Sequence, residues 1–167
     1  MRILIADDTE SMHEVYRCIL SPATNPEPSP EALAKFAPDF AEMPKRTVSH
    51  ELTLVYQGQD AIAAVDAASQ AGTPFDLVIL DVRMPPGMTG VAAAMKIRER
   101  HPDMQFIICS AFADFTWQDL AERFSYGVAI IRKPFDFTEL LITVESLGEK
   151  AGLRREIEAL KRKVPHE

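Results

Sequence analysis

The chain has 167 residues, enough for one α/β domain with its own core. It carries 25 acidic against 18 basic side chains, a formal charge of −7. That balance argues against direct nucleic-acid binding, which needs clustered Lys and Arg, and no 18-residue apolar run offers a membrane span.

The first apolar run, Ile3-Leu4-Ile5-Ala6, stops at Asp7, too short for a signal peptide, so a cytoplasmic protein is expected. Cys18 and Cys109 sit far apart in apolar surroundings and read as reduced core residues, not a bridge or a metal pair. Residues 2–6 have the pattern of a strand, ending in Asp7-Asp8. Met12, Val15, Tyr16 and Ile19 then recur at i, i+3, i+4 and i+7, one face of a helix with Asp8 or Thr9 as its cap. His13 lies on that helix beside Glu14 and is expected at the surface, since no cysteine or second histidine stands at a metal-binding spacing.

Residues 21–48 break the pattern and hold six of the 12 prolines. They read as an insertion with a helical turn or two around Ala32, Leu33, Phe36 and Phe40, either a passive insert or a docking element. Residues 51–56 resume strand character, Gln57-Gly58 turns, and Ala61, Ile62, Val65 and Ala68 mark a second helix. Next comes Phe75-Asp76-Leu77-Val78-Ile79-Leu80-Asp81, bounded by Gly72-Thr73-Pro74 and Pro85-Pro86-Gly87. Its apolar centre reads as a strand buried on both faces, with a carboxylate at the carboxyl end.

A third helix with Val91, Ala94 and Met95 inward is stopped by His101-Pro102. Residues 105–109 form a fourth strand ending at Ser110-Ala111, and residues 112–124 a weaker helix holding Trp117, Leu120 and Phe124. Residues 128–131 form a fifth strand ending at Arg132-Lys133-Pro134, with a cis Lys133-Pro134 peptide expected at the turn. A last helix starts near Asp136 with Leu140, Val144 and Leu147 inward. Gly148 and Gly152 interrupt its stripe, and Leu153, Ile157, Leu160 and Val164 follow as a short heptad-like seam.

Five alternations of strand and helix with right-handed crossovers predict a flavodoxin-like (βα)5 three-layer sandwich. The strand order 2-1-3-4-5 makes the first and third strands neighbours at the switch point, where open α/β sheets bind their ligands. The chain then divides into a domain over residues 1–148, with its insertion, and a helical connector over 149–167. That order brings Asp7, Asp8 and Asp81 around one crevice. Converging carboxylates repel unless one is protonated or a cation neutralises them. Oxygen-only ligands with room for water suit Mg²⁺. Asp81 is then a candidate nucleophile toward phosphorus. Ser110 offers a hydroxyl to a phosphoryl oxygen, and Lys133 a compact cation. Acid pair, acid, hydroxyl and lysine fall in order at the ends of strands 1, 3, 4 and 5.

Taken with Met84-Pro85, Gly90, Ser110-Ala111 and Lys133-Pro134-Phe135, the chain resembles a two-component response-regulator receiver domain. Residues 83–87 and 108–117 further resemble a long-insert subset of receivers, often joined to histidine kinases or cyclic-di-GMP modules. The resemblance implies that Asp81 is the phosphoacceptor and that Asp7, Asp8, Asp81 and the Arg83 backbone carbonyl hold Mg²⁺. It implies that Ser110 and Lys133 contact the phosphoryl group and act as switch residues. The usual aromatic switch position, three before the lysine, is occupied by Ile130. Tyr126 lies too early to replace it. A sensor histidine kinase or phosphotransfer protein is the expected partner, with a homodimer through the last helix as a further one. The expectation is therefore a signalling phosphoprotein, not an enzyme. Two alternatives are a haloacid-dehalogenase-like phosphatase, whose second Asp is replaced here by Arg83, and a docking receiver that is never phosphorylated.

Overall fold

A computed structural model describes residues 1–21, 29–31, 50–111 and 117–163. The elements are β1 (Arg2–Ala6), α1 (Glu10–Leu20), β2 (Glu51–Val55), α2 (Gly58–Gln70), β3 (Leu77–Asp81), α3 (Gly90–Arg100), β4 (Gln105–Ser110), α4 (Trp117–Arg123), β5 (Val128–Arg132) and α5 (Phe137–Lys163). The strands form one parallel sheet in the order β2-β1-β3-β4-β5. This is the flavodoxin-like arrangement that the alternating pattern predicts.

Successive strand residues point to opposite faces. Leu4, Ala6, Val78, Leu80, Phe106 and Ile108 accordingly meet Val65, Val91, Ile97 and Leu120 in one core. Ile3, Ile5, Leu77, Ile79, Ile107 and Cys109 meet Val15, Tyr16, Ile19, Leu140, Val144 and Leu147 in the other. Both faces of β1, β3 and β4 are covered, which is why these strands read as unbroken apolar runs. Each fully buried Leu or Ile here contributes about 1.5–3 kcal/mol relative to exposure.

Among the described residues, two helix starts have side-chain caps. The Ala92 amide donates to Thr89 Oγ1 (3.2 Å), and the Thr138 and Glu139 amides donate to Asp136 Oδ1 (2.6 and 3.2 Å). Thr9 is the N-cap of α1 but makes no side-chain cap bond. The insertion leaves and rejoins the body at one place. There the His50 amide donates to the Leu20 carbonyl (2.9 Å) and Ser21 Oγ to the His50 carbonyl (3.0 Å). Inside it, Ser29 Oγ donates to Glu14 on α1 (2.9 Å); the helical turn around Leu33, Phe36 and Phe40 lies outside the described residues.

Two expectations need correction. His13 is fully buried, because the Tyr56 ring just past β2 stacks on it at 4.7 Å between centroids. Met95 is exposed at the rim of the α3 contact arc, while Ala93 and Ile97 fill the interior beside Val91 and Ala94. The last helix is extended, as expected: α5 runs through the glycines at 148 and 152 to Lys163. Beyond the sheet this helix is tied to its own domain. Arg154 pairs with Asp103 (2.6 Å) and lies 4.2 Å over the Tyr126 ring, and Arg155 pairs with the buried Asp76. No helix among the described residues is long and apolar enough to cross a membrane.

Candidate functional site

The carboxyl edge of the sheet gathers the candidate residues. β1 runs out at Ala6, and the Asp7 amide donates to the Val55 carbonyl of β2 (3.1 Å). Asp7 Oδ1 accepts the Thr9 amide (3.0 Å), which fixes the carboxylate over the start of α1. β3 delivers Asp81 opposite Cys109 of β4. Asp7 is 1% exposed and Asp81 7%, so both carboxylates are largely withdrawn from water. Asp8 is exposed, yet Asp7, Asp8 and Asp81 each offer an oxygen within 4.8 Å of the others.

Lys133 closes the group. Its amide donates to the Ser110 carbonyl (2.8 Å), anchoring the end of β5 to the end of β4. Its ammonium donates to Asp7 Oδ2 (2.5 Å) and Asp81 Oδ1 (2.8 Å). The Lys133-Pro134 peptide is cis as expected, and so is Pro85-Pro86, which was not expected.

Electrostatics follow from that geometry. Burial raises the Asp81 carboxyl above its ordinary range; Lys133 opposes the rise, while Asp7 and Asp8 add to it. For Lys133, burial pulls downward, but the charges of Asp7 and Asp81 outweigh it and hold the ammonium above its usual range. When all are ionised, three carboxylates face one ammonium and two negative charges remain. An all-oxygen donor set with that excess fits a hard divalent cation such as Mg²⁺.

The backbone beneath Asp81 is held by Gly90. Its amide donates to the Val82 carbonyl (3.1 Å). A Cβ there would stand 2.1 Å from the Asp81 carbonyl oxygen, so only glycine lets α3 start so close to the strand end.

Ser110 is buried at the end of β4, next to the strand carrying Asp81. Arg83 follows Asp81 by two residues in the β3–α3 loop with an exposed side chain. Ile130 is half-buried, lies beside Ile108 in the sheet and packs on the core that faces α2 to α4, away from the carboxylates. Tyr126 precedes β5, and its hydroxyl donates to the Pro102 carbonyl (3.1 Å) at the opposite edge of the sheet.

Two neighbours escaped the sequence reading. The Tyr56 hydroxyl donates to Glu10 at the mouth of α1, and the His13 ring is buried behind it. The rule that found Asp81, looking at the carboxyl end of each strand, applies equally to Tyr56, the residue after β2. Beneath the site the Tyr16 hydroxyl donates to Cys109 Sγ (3.5 Å), and burial pushes the Cys109 thiol up to about 12.

Comparison with known proteins agrees with the fold. The response regulator receiver domain family matches residues 39–145. The match omits β1 and α1, which the insertion separates from the remaining elements. Among curated proteins, the sensor kinase CckA of Brucella abortus (strain 2308) is 30% identical over 97 residues, covering 58% of this chain and 10% of that protein. The DNA-binding transcriptional regulator NtrC of Salmonella typhimurium is 38% identical over 82 residues, covering 47% of this chain and 16% of that protein. The similarity thus spans a small part of either relative. A CheY-like receiver structure from Methanospirillum hungatei JF-1 shares the fold with a TM-score of 0.63 at 19% identity, covering 92% of this chain and 97% of that one.

Proposed function

Because the chain belongs to the response regulator receiver domain family, the phosphoacceptor module of two-component signalling, we propose that Asp81 is the residue that takes the phosphoryl group. The observation that carries this reading is the single ammonium shared by two buried carboxylates, Lys133 between Asp7 and Asp81. A sensor histidine kinase or phosphotransfer protein presents a phosphohistidine. An Asp81 carboxylate oxygen forms the new P–O bond while the donor's N–P bond breaks, and the electron pair leaves with the imidazole. Asp7, Asp8, Asp81 and the Arg83 carbonyl would hold Mg²⁺, which would neutralise charge on the incoming phosphoryl oxygens.

Lys133 then exchanges the Asp81 carboxylate for a phosphoryl oxygen, and Ser110 donates its hydroxyl to another. Both residues end strands that flank α4, so the new bonds bias the β4–α4–β5 surface between two arrangements. Ile130 has no hydroxyl or ring to follow them, which leaves readout to the backbone link between Lys133 and Ser110. The chain works as a switch rather than as an enzyme. Its receiver unit spans residues 1–148, and 149–167 form a connector.

Incubation with acetyl phosphate and Mg²⁺, followed by intact mass, tests the proposal. One phosphate-sized adduct is expected, absent with EDTA and absent in Asp81→Asn. An unmodified wild type, or an adduct that survives Asp81→Asn, overturns it.

A further inference from the structure

Consecutive residues at the carboxyl end of β2 hold both of the loops that carry the acids. The Val55 carbonyl accepts the Asp7 amide (3.1 Å). The Tyr56 hydroxyl donates to Glu10, just past Asp8 at the start of α1, and its ring lies 4.7 Å from that of His13 between centroids. Gln57 Nε2 donates to the Pro85 carbonyl (3.2 Å) in the β3–α3 loop. One short segment therefore ties the Asp7-Asp8 loop on one side to the loop that follows Asp81 on the other.

The second loop is fixed along its length. The Val82 carbonyl accepts the Gly90 amide (3.1 Å) and the Met84 carbonyl the Gly87 amide (3.0 Å), so the peptide at Arg83 lies between held neighbours. Gly87 lacks the Cβ that would collide with the Gln57 side chain. Gln57 Oε1 is buried and accepts no hydrogen bond among the described residues, an arrangement that stability alone does not account for. Tyr56 is 47% exposed and belongs to neither core. These two side chains position the loops rather than fill the interior.

The spacing of the loops decides which cation fits. Mg²⁺ takes oxygens at about 2.0–2.1 Å in a near-regular octahedron, whereas Ca²⁺ takes more of them at about 2.3–2.6 Å and tolerates irregular geometry. The Asp7, Asp8 and Asp81 oxygens already lie within 4.8 Å of one another. A larger ion has to spread the two loops, and a strap joining them resists the spread.

We propose that Tyr56 and Gln57 are positioning residues whose brace across the two loops makes the site choose Mg²⁺ over Ca²⁺. This deepens the reading of Asp7, Asp8 and Asp81 as holders of a divalent ion, and rests on it.

Calorimetric titration of the full chain with magnesium chloride and with calcium chloride tests the brace, with urea unfolding in EDTA as a separate measure of the fold. Wild type should bind Mg²⁺ more tightly than Ca²⁺. Tyr56→Phe with Gln57→Leu should weaken Mg²⁺ binding about tenfold and leave Ca²⁺ binding within about twofold, so that the preference collapses. Each single variant should show part of that loss, and the singles carry the comparison if the double variant unfolds. Glu10→Gln keeps an acceptor for Tyr56 and removes only a charge, so it should weaken both ions alike and preserve the preference. Variants that keep the wild-type ratio of affinities, or that lose both ions by the same factor, overturn the brace, and so does a wild type without preference. In each of those cases the divalent reading of the acids stands. A wild type that binds neither ion overturns that reading and the brace together.

Discussion

Lys133→Met removes the ammonium and keeps an unbranched apolar stem. The lysine side chain is 11% exposed, and its partners Asp7 and Asp81 are 1% and 10% exposed. Deleting one member of a buried ion pair costs about 3–5 kcal/mol, because the remaining charges are left without compensation. The lower end applies here. Burial already raises the Asp81 carboxyl, so without the lysine it escapes part of the penalty by taking up a proton. A loss of about 3 kcal/mol corresponds to a melting temperature lower by roughly 6–12 °C for a chain of this size. The pH dependence has a definite sign. A carboxyl raised above its unfolded value of about 3.9 stabilises fully below that value and loses its contribution as the pH climbs through the folded value. The deficit of the variant should therefore be small near about pH 4 and widest near about pH 7. Mg²⁺ should restore more stability to the variant than to the wild type, since the ion neutralises the same carboxylates. Urea unfolding in EDTA and in Mg²⁺, at both pH values, measures all three effects. A deficit under about 1 kcal/mol near neutrality, or one that does not shrink on acidification, refutes the reasoning.

Gly90→Ala should cost about 1–3 kcal/mol, because the added methyl has to displace backbone at Asp81. It should also slow phosphate uptake from acetyl phosphate, and an unchanged urea midpoint would contradict this account. Cys109, buried and with its thiol pushed up to about 12, should resist thiol reagents in the folded protein near about pH 8 and react once urea unfolds it. Peptide mapping locates the label, and rapid modification of native Cys109 would contradict the burial.

The sheet was legible because its central strands are covered on both sides and each ends in a polar residue. Val78-Ile79-Leu80-Asp81 shows both features in four letters. Asp7, Asp81 and Lys133 could be grouped before any coordinates, since the strand order alone brings their strand ends to one edge. What stayed hidden depends on partners distant in sequence. Nothing near His13 announces that Tyr56 will cover it, and Met95 belongs to an apolar pattern whose inner arc only the neighbouring elements define. The extension of α5 through the glycines at 148 and 152 was legible as a helix, but its docking was not. Past them the helix is held by Arg154 on Asp103 and Tyr126 and by Arg155 on Asp76, contacts that no local periodicity encodes.

The paired bonds at Leu20, Ser21 and His50 have an architectural consequence. They make a doorway through which the chain steps out and returns without changing the spacing of β1 and β2. Whatever occupies the span between those posts, its length enters the free energy only logarithmically, at about 0.6 kcal/mol for each doubling. A longer excursion, a shorter one or none is therefore compatible with the same carboxylate edge, and a foreign module grafted between Ser21 and His50 should leave that edge intact.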